Sequence, residues 1–79
     1  MLQNNLDYYY TPGNGVYYRI VNKKMTKGQL VIVIDPTHKM YGKIGVLTTN
    51  AKRKARVKFN MFNKQNISAR KLQTLERVK

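Results

Sequence analysis

Residues 52–59 read Lys-Arg-Lys-Ala-Arg-Val-Lys-Phe, and they decide the class of fold. Side chains alternate between the two sides of an extended chain. From residue 54 onward this alternation gives two sets: Lys54, Arg56 and Lys58 on one side, and Ala55, Val57 and Phe59 on the other. An apolar side for a core and a cationic side for water or phosphate predict a β-strand with one solvated face.

The same stretch carries five of the sixteen Lys and Arg residues in this 79-residue chain. Only Asp7, Asp35 and Glu76 oppose them, so the formal net charge is +13. The charge is also uneven along the chain, because no Lys or Arg precedes Arg19. A small surface this positive attracts polyanions before any particular site is considered.

Leu30–Ile34 is a run of five aliphatic residues, which is typical of a strand buried on most of both faces. Asp-Pro-Thr-His-Lys at 35–39 ends this strand, because Pro lacks a donor for the ladder and Asp favours a turn. Ile44–Thr49 is the next predicted strand, residues 50–52 are a hairpin tip, and Lys54–Phe59 is the return strand.

The N-terminal region, residues 1–26, is predicted to form a tyrosine-rich hairpin. Leu6–Tyr10 and Val16–Val21 are extended segments, and Thr-Pro-Gly-Asn-Gly at 11–15 favours a turn between them. A loose arm is the alternative, because the first ten residues contain no strong core pattern.

Asn60–Asn66 is polar around one apolar pair, which predicts a loop or short turn. Ile67–Leu75 is compatible with a short strand plus one helical turn. A longer helix through Lys79 is the alternative, because three apolar residues have helix spacing: Leu72, Leu75 and Val78. Short strands with turns every eight to twelve residues favour a barrel. The sequence thus predicts one all-β domain, a five-stranded barrel over residues 27–79 with the N-terminal hairpin or arm packed on it.

Residues 27–47 resemble the KOW motif. Gly28 matches the glycine that opens the first strand of that motif, Val31 and Val33 match its alternating core positions, and Gly-Lys-Ile-Gly at 42–45 matches its glycine-framed turn.

Two positions depart from the family pattern: Gln29 stands where the family usually has Asp, and Pro36 where it often has Gly. The downstream hairpin and the closing Ile67–Leu75 segment extend the resemblance to residues 27–75. The resemblance implies an SH3-like (Tudor-like) barrel that contacts RNA, DNA or the transcription machinery. KOW domains occur in ribosomal proteins, transcription factors and small phage-encoded DNA-binding proteins, and this Asn- and Tyr-rich basic chain looks most like the phage-encoded type.

Nucleic-acid contact is predicted first for the cationic stretch: Lys52, Arg53, Lys54, Arg56 and Lys58. The turn where the KOW family often binds supplies the second group: His38, Lys39, Tyr41 and Lys43. Arg70 and Lys71 would extend the patch. The structural alternatives are a solvated surface for the cationic stretch, an exposed turn for His38 and a lid over the barrel for Tyr41.

The tyrosine cluster has two interpretations: Tyr8, Tyr9, Tyr10, Tyr17 and Tyr18. Aromatic side chains near cations can stack on unpaired bases, each contributing about 1–3 kcal/mol. A chain with only two Phe and no Trp also needs tyrosines for its core. We favour core or hairpin packing, with a stacking platform as the alternative.

Catalysis has few candidate groups. Three scattered carboxylates show no metal-site spacing, and a nucleophile–base pair would require Ser68 and His38, which have no evident orienting neighbour. Without Cys the chain has no disulfide and no thiolate zinc site. We therefore expect no enzymatic activity, no cofactor and no metal.

The longest apolar run, Leu30–Ile34, is too short to cross a bilayer, and residues 1–7 do not read as a signal peptide. We expect a cytoplasmic, nucleoid-associated protein that binds duplex DNA through phosphate, with little sequence preference, and acts on transcription or the nucleoid. One alternative is an RNA- or ribosome-associated binder. The other is a module that docks on an acidic surface of RNA polymerase or of a nucleoid protein.

Overall fold

The computed structural model describes residues 8–11 and 16–78, which form one antiparallel sheet of seven strands. Their bounds in chain order are β1 (Tyr8–Thr11), β2 (Val16–Ile20), β3 (Leu30–Val33), β4 (Ile44–Leu47), β5 (Lys54–Asn60), β6 (Asn63–Ser68) and β7 (Leu72–Val78). A 3-10 turn, Ala69–Lys71, joins β6 to β7. The strands lie in the order β1-β2-β7-β3-β4-β5-β6. The prediction of a small all-β fold is confirmed.

The sheet must curl, because β6 and β7 are consecutive in the chain but lie at opposite ends of the five-strand order β7-β3-β4-β5-β6. In a flat sheet four strand spacings would separate them by about 19 Å. The four residue steps from Ser68 to Leu72 reach at most about 14 Å even when fully extended, and a 3-10 turn is shorter. The curl turns one face of these strands inward as the core.

That core draws on all five curled strands, and its members are buried: Val31, Val33, Leu47, Ala55, Val57, Ile67 and Leu72. Phe59, together with Met25, Met40 and Ala51, packs against it and is partly buried. Along β5 the burial alternates as the sequence predicts, although Phe59 is less enclosed than Ala55 and Val57. Alternation therefore sets which side of β5 faces solvent.

Gly45 allows β4 and β5 to approach closely. A Cβ added at this position would lie 2.5 Å from Val57 Cγ1 and 2.9 Å from the carbonyl oxygen of Lys58. Neither neighbour moves freely, since Val57 is buried and the carbonyl belongs to the backbone of β5. We expect Gly45→Ala to lower the free energy of unfolding by about 1–3 kcal/mol, as overpacking does elsewhere.

Chemical denaturation of Gly45→Ala beside Gly42→Asn tests this expectation. Gly42 has φ of 79° and open space where a Cβ would lie, so Asn there meets no neighbour and strains only the backbone, at a small cost because Asn tolerates left-handed backbone better than most residues. Equal stability of Gly45→Ala and the parent would mean that β4 and β5 can separate without cost.

One prediction and one alternative for the C-terminal third are wrong. Residues 63–66, expected in a loop, begin β6, and residues 72–78 form β7 instead of a longer helix. Strand β7 lies between two partners: it pairs with β3 through Leu72–Leu75 and with β2 through Leu75–Val78. Backbone pairing on both edges favours the extended form over a helix, whatever the spacing of its apolar residues. The expected helical turn is confirmed as Ala69–Lys71.

The N-terminal hairpin belongs to the same sheet. Strand β1 pairs with β2, with Tyr10 opposite Tyr17, and β2 continues the sheet by pairing with β7. The two paired strands match the predicted hairpin more closely than a loose arm. Residues 12–15 of the predicted turn, like residues 1–7, lie outside the described part of the chain.

Candidate nucleic-acid interface

The outer side of β5 carries three exposed cations. Lys54, Arg56 and Lys58 point to solvent, while Ala55 and Val57 between them are buried. Because the buried residues fix the orientation of the strand, the three cations are held on one side of it. The sequence predicted this row correctly.

Strand β6 adds a fourth cation that the sequence prediction missed. Lys64 lies directly opposite Lys58 and is also exposed, and the next outer positions of β6 carry Asn66 and Ser68. Like charges directly opposite in a sheet are unfavourable, so a bound anion would relieve the repulsion between Lys58 and Lys64. We call this surface the cationic face: Lys54, Arg56, Lys58 and Lys64.

At the start of β5 the cationic face continues into an open groove of about 370 Å³. We call it the basic groove, and its lining is Lys52, Arg53, Ser68, Ala69 and Arg70. The structure thus joins the β4–β5 hairpin tip to the 3-10 turn. Of the predicted site residues, Lys52, Arg53 and Arg70 meet here.

The hairpin tip in the basic groove is pinned on both sides. The N–H of Ala51 donates to the carbonyl of Met25 over 2.8 Å, and the N–H of Ala69 donates to the carbonyl of Arg53 over 2.8 Å. These bonds fix the backbone around Lys52 and Arg53 and leave both side chains exposed. Little further backbone freedom would therefore be lost when an anion binds.

Lys71 is held away from the basic groove by an acid. Its Nζ lies 3.2 Å from a carboxylate oxygen of Asp35, and its carbonyl accepts from the N–H of Ile34 over 2.9 Å. Hydrogen bonds from the backbone and side chain of Thr37, followed by the Lys71 ammonium, lower the pKa of Asp35 to about 2. The charge of Lys71 is therefore partly compensated, which distinguishes it from Arg70.

The β3–β4 loop places its predicted site residues differently. Lys39, Tyr41 and Lys43 are exposed, but His38 is partly buried and its Nδ1 accepts from the N–H of Met40 over 3.0 Å. His38 is therefore a turn residue, but it is partly buried and hydrogen-bonded within the loop instead of exposed. The 3-10 turn, bonded to Arg53 on one side and to Ile34 on the other, links this loop to the basic groove.

Tyr41 lines a small hollow of about 140 Å³ together with apolar residues at the end of β3: Ile32, Val33 and Ile34. Its ring is still half exposed. This arrangement agrees with a partial lid over the end of the curled sheet, and it leaves the ring free to meet a ligand.

The second described acid, Glu76 on β7, is also engaged in ion pairs. Glu76 accepts from Arg19 over 2.9 Å and lies 3.8 Å from Lys23. The hydrogen bond from Arg19, followed by the charge of Lys23, lowers the pKa of Glu76. Within residues 8–11 and 16–78, no carboxylate lies within 4 Å of a cation of the cationic face or the basic groove.

Of the two tyrosines of this cluster whose side chains the structure describes, one is exposed and the other is partly buried. Tyr17 is exposed on β2 and Tyr18 is partly buried beside it. The side chains of Tyr8–Tyr10 lie outside the described features. The choice between a packed cluster and a stacking platform therefore stays a prediction.

No protein-family model, curated protein or solved structure matches this chain. Among the residues that the structure describes, no three His, Cys, Asp or Glu residues are grouped so that they could hold a metal ion. Any helix in that part of the chain is too short or too polar to span a membrane. A function must therefore be inferred from the chain's own geometry and charge.

Proposed function

We propose that this protein is a non-enzymatic, SH3-like barrel of KOW type that binds duplex DNA through its phosphates. The observation that carries the proposal is the cationic face, which runs into the basic groove without a described carboxylate beside it. An uncompensated row of cations is costly for a free protein and favourable when a polyanion covers it.

The order of the strands supports the part of the proposal that concerns the fold, an SH3-like barrel. Four consecutive strands, β3 to β6, follow one another in the sheet, and β7 returns through the 3-10 turn to pair with β3. This curled five-strand unit covers residues 30–78, close to the span of the KOW resemblance.

The dimensions of the cationic face suit a duplex. Alternate residues on a strand are about 6.7 Å apart, so Lys54 and Lys58 are separated by about 13 Å. Each strand of B-DNA presents a phosphate every 3.4 Å along the axis, which places about four phosphates within that length. Lys and Arg side chains are long enough to adjust to the helical path of the phosphates, so no exact match of spacing is needed.

Duplex DNA is favoured over single strands because no row of aromatic side chains accompanies the cations along β5 and β6. Proteins that bind unpaired nucleic acid combine a positive groove with an aromatic platform. The described outer positions of β5 and β6 are instead cationic or small and polar, as the exposed or partly exposed Asn66 and Ser68 illustrate. Such a surface contacts phosphates and reads little of the base sequence.

The proposal extends to the biological setting: a cytoplasmic, nucleoid-associated protein, phage-encoded by its resemblance, that influences transcription. The tests also distinguish duplex DNA from two other possible partners. Structured RNA would compete with duplex DNA for the same cations. An acidic surface of RNA polymerase or of a nucleoid protein would be recovered from lysate even after nuclease treatment.

The salt dependence of binding tests the proposal. If the protein neutralises five or six phosphates, log K should fall with log salt at a slope of about −4.5 to −5.5 on duplex DNA. Fluorescence anisotropy on labelled duplexes between 50 and 300 mM salt would measure the slope, with two unrelated sequences and a structured RNA as comparisons. A slope near zero, or a strong preference for one sequence, would contradict phosphate-dominated binding.

A further inference from the structure

The hairpin that joins β5 to β6 ends in two exposed apolar side chains. Met61 is 73 % exposed and Phe62 is 93 % exposed, the most exposed large apolar residue in the described chain. Asn60 and Asn63 pair across the base of the turn, and the N–H of Phe62 donates to Asn60 Oδ1 over 2.9 Å. We call Met61 and Phe62 the apolar tip. It is a tight, hydrogen-bonded turn that presents its apolar groups to solvent.

The apolar tip lies at the end of the cationic face. Lys58 and Lys64 face each other just behind the turn, on the outer side of the same two strands. Strand β4 pairs with β5 at Val57 and Lys58, so Asn60 and the turn lie beyond the paired part of β4. The hairpin therefore combines an unpartnered apolar end with cations immediately behind it.

We propose that the apolar tip inserts between adjacent base pairs of duplex DNA while Lys58 and Lys64 neutralise phosphates beside the opened step. The inference rests on the proposed function, since it names how the same surface engages the duplex. Apolar side chains inserted between base steps unstack them and kink the helix by about 20–90°. Burial of Phe62 against the bases would offset part of the unstacking cost.

The layout of charge favours DNA over a bilayer as the occupant. The apolar tip has only two side chains, a small anchor for a membrane. The cations extend away from it along the outer side of β5, through Lys58 and Arg56 to Lys54. This line can follow a phosphate backbone from the insertion point, whereas cations that hold a protein on a bilayer would be expected to surround the apolar group.

A tryptophan at the tip gives a direct probe, because the chain contains none. We expect the fluorescence of Phe62→Trp to be quenched by duplex DNA and shielded from acrylamide, as stacking between bases requires. Heparin supplies the negative charge without bases and should leave the emission nearly unchanged. A blue shift on vesicles of anionic lipid, without quenching on DNA, would overturn the proposal in favour of a membrane contact.

The second measurement compares the parent with Phe62→Ala on closed circular DNA that a topoisomerase relaxes while the protein is bound. The parent should change the linking number, because insertion unwinds the duplex, and Phe62→Ala should not. Affinity of Phe62→Ala should fall by about 5- to 150-fold, the loss expected for one stacked aromatic, with an unchanged salt slope. Phe62→Leu should keep much of the unwinding, because it preserves an apolar side chain at the turn.

The outcomes separate this inference from the proposed function. If the parent binds DNA with the expected salt slope but neither unwinds it nor loses affinity in Phe62→Ala, insertion is wrong and phosphate binding stands. If the parent does not bind duplex DNA, both are wrong. Since both side chains of the apolar tip are exposed, a circular dichroism melt should confirm that Phe62→Ala folds like the parent.

Discussion

Replacing Lys54, Arg56 and Lys58 together with Gln is expected to weaken binding to duplex DNA by about 500-fold in 0.1 M salt. Each phosphate contact contributes about 0.9 to the salt slope, so three lost contacts reduce its magnitude by about 2.7 and remove about 2.7 decades of affinity at 0.1 M. Folding should be nearly unchanged, because the three side chains are exposed and such substitutions usually shift stability by under about 0.5 kcal/mol each. Anisotropy titrations and thermal melts on the variant measure both quantities.

A second triple variant distinguishes the effect of the cationic face on affinity from the effect of total charge. Lys23, Lys24 and Arg77 are exposed and lie outside this face, so changing them to Gln removes the same charge elsewhere. We expect its affinity to stay much closer to that of the parent. Equal losses in both variants would mean that overall charge drives binding. If the variant of β5 binds like the parent, the row is only a solvated surface, and the β3–β4 loop or the tyrosine hairpin becomes the leading site.

The sequence was most informative where one strand faces both core and solvent. In β5 every second residue must be apolar to fill the core, so the alternation around Ala55 and Val57 reveals both the strand and its outward cations. Strand β6 lacks that signal. It lies at the end of the strand order, and Ile67 is its only buried residue, so Lys64 and Asn66 look like loop residues until the pairing with β5 is known.

The helix spacing of Leu72, Leu75 and Val78 misled for another reason. Strand β7 pairs with β2, more than fifty residues earlier in the chain, and local periodicity carries no information about such a partner. The basic groove depends on this long-range geometry too. Arg70 reaches Lys52 and Arg53 only because the sheet curls and the 3-10 turn bonds to the hairpin tip, so the sequence predicted these residues without predicting that they meet.

The second large effect is expected in the core beneath the cationic face. Leu47 is 1 % exposed and packs with Val57 and Ile67 in the core cluster. Leu47→Ala should lower the free energy of unfolding by about 2–5 kcal/mol, since it removes buried apolar surface and leaves a cavity. A chain of this length has a stability of roughly 4–12 kcal/mol, so much of it would be lost. Val46→Ala, at the exposed neighbouring position, is the matched control and should cost far less in a denaturant titration.

DNA should partly restore the melting temperature of Leu47→Ala, because a ligand that binds the native state adds stability by mass action. At a free DNA concentration of 100 Kd the gain is at most about 2.7 kcal/mol, and binding of the basic unfolded chain to DNA would reduce it. Adding the three Gln substitutions of β5 raises Kd about 500-fold, so at the same DNA concentration the gain falls to about 0.1 kcal/mol. Melting curves of both variants with and without duplex, at low salt, measure the difference. Equal restoration in the two variants would show that the native state holds DNA through some other surface.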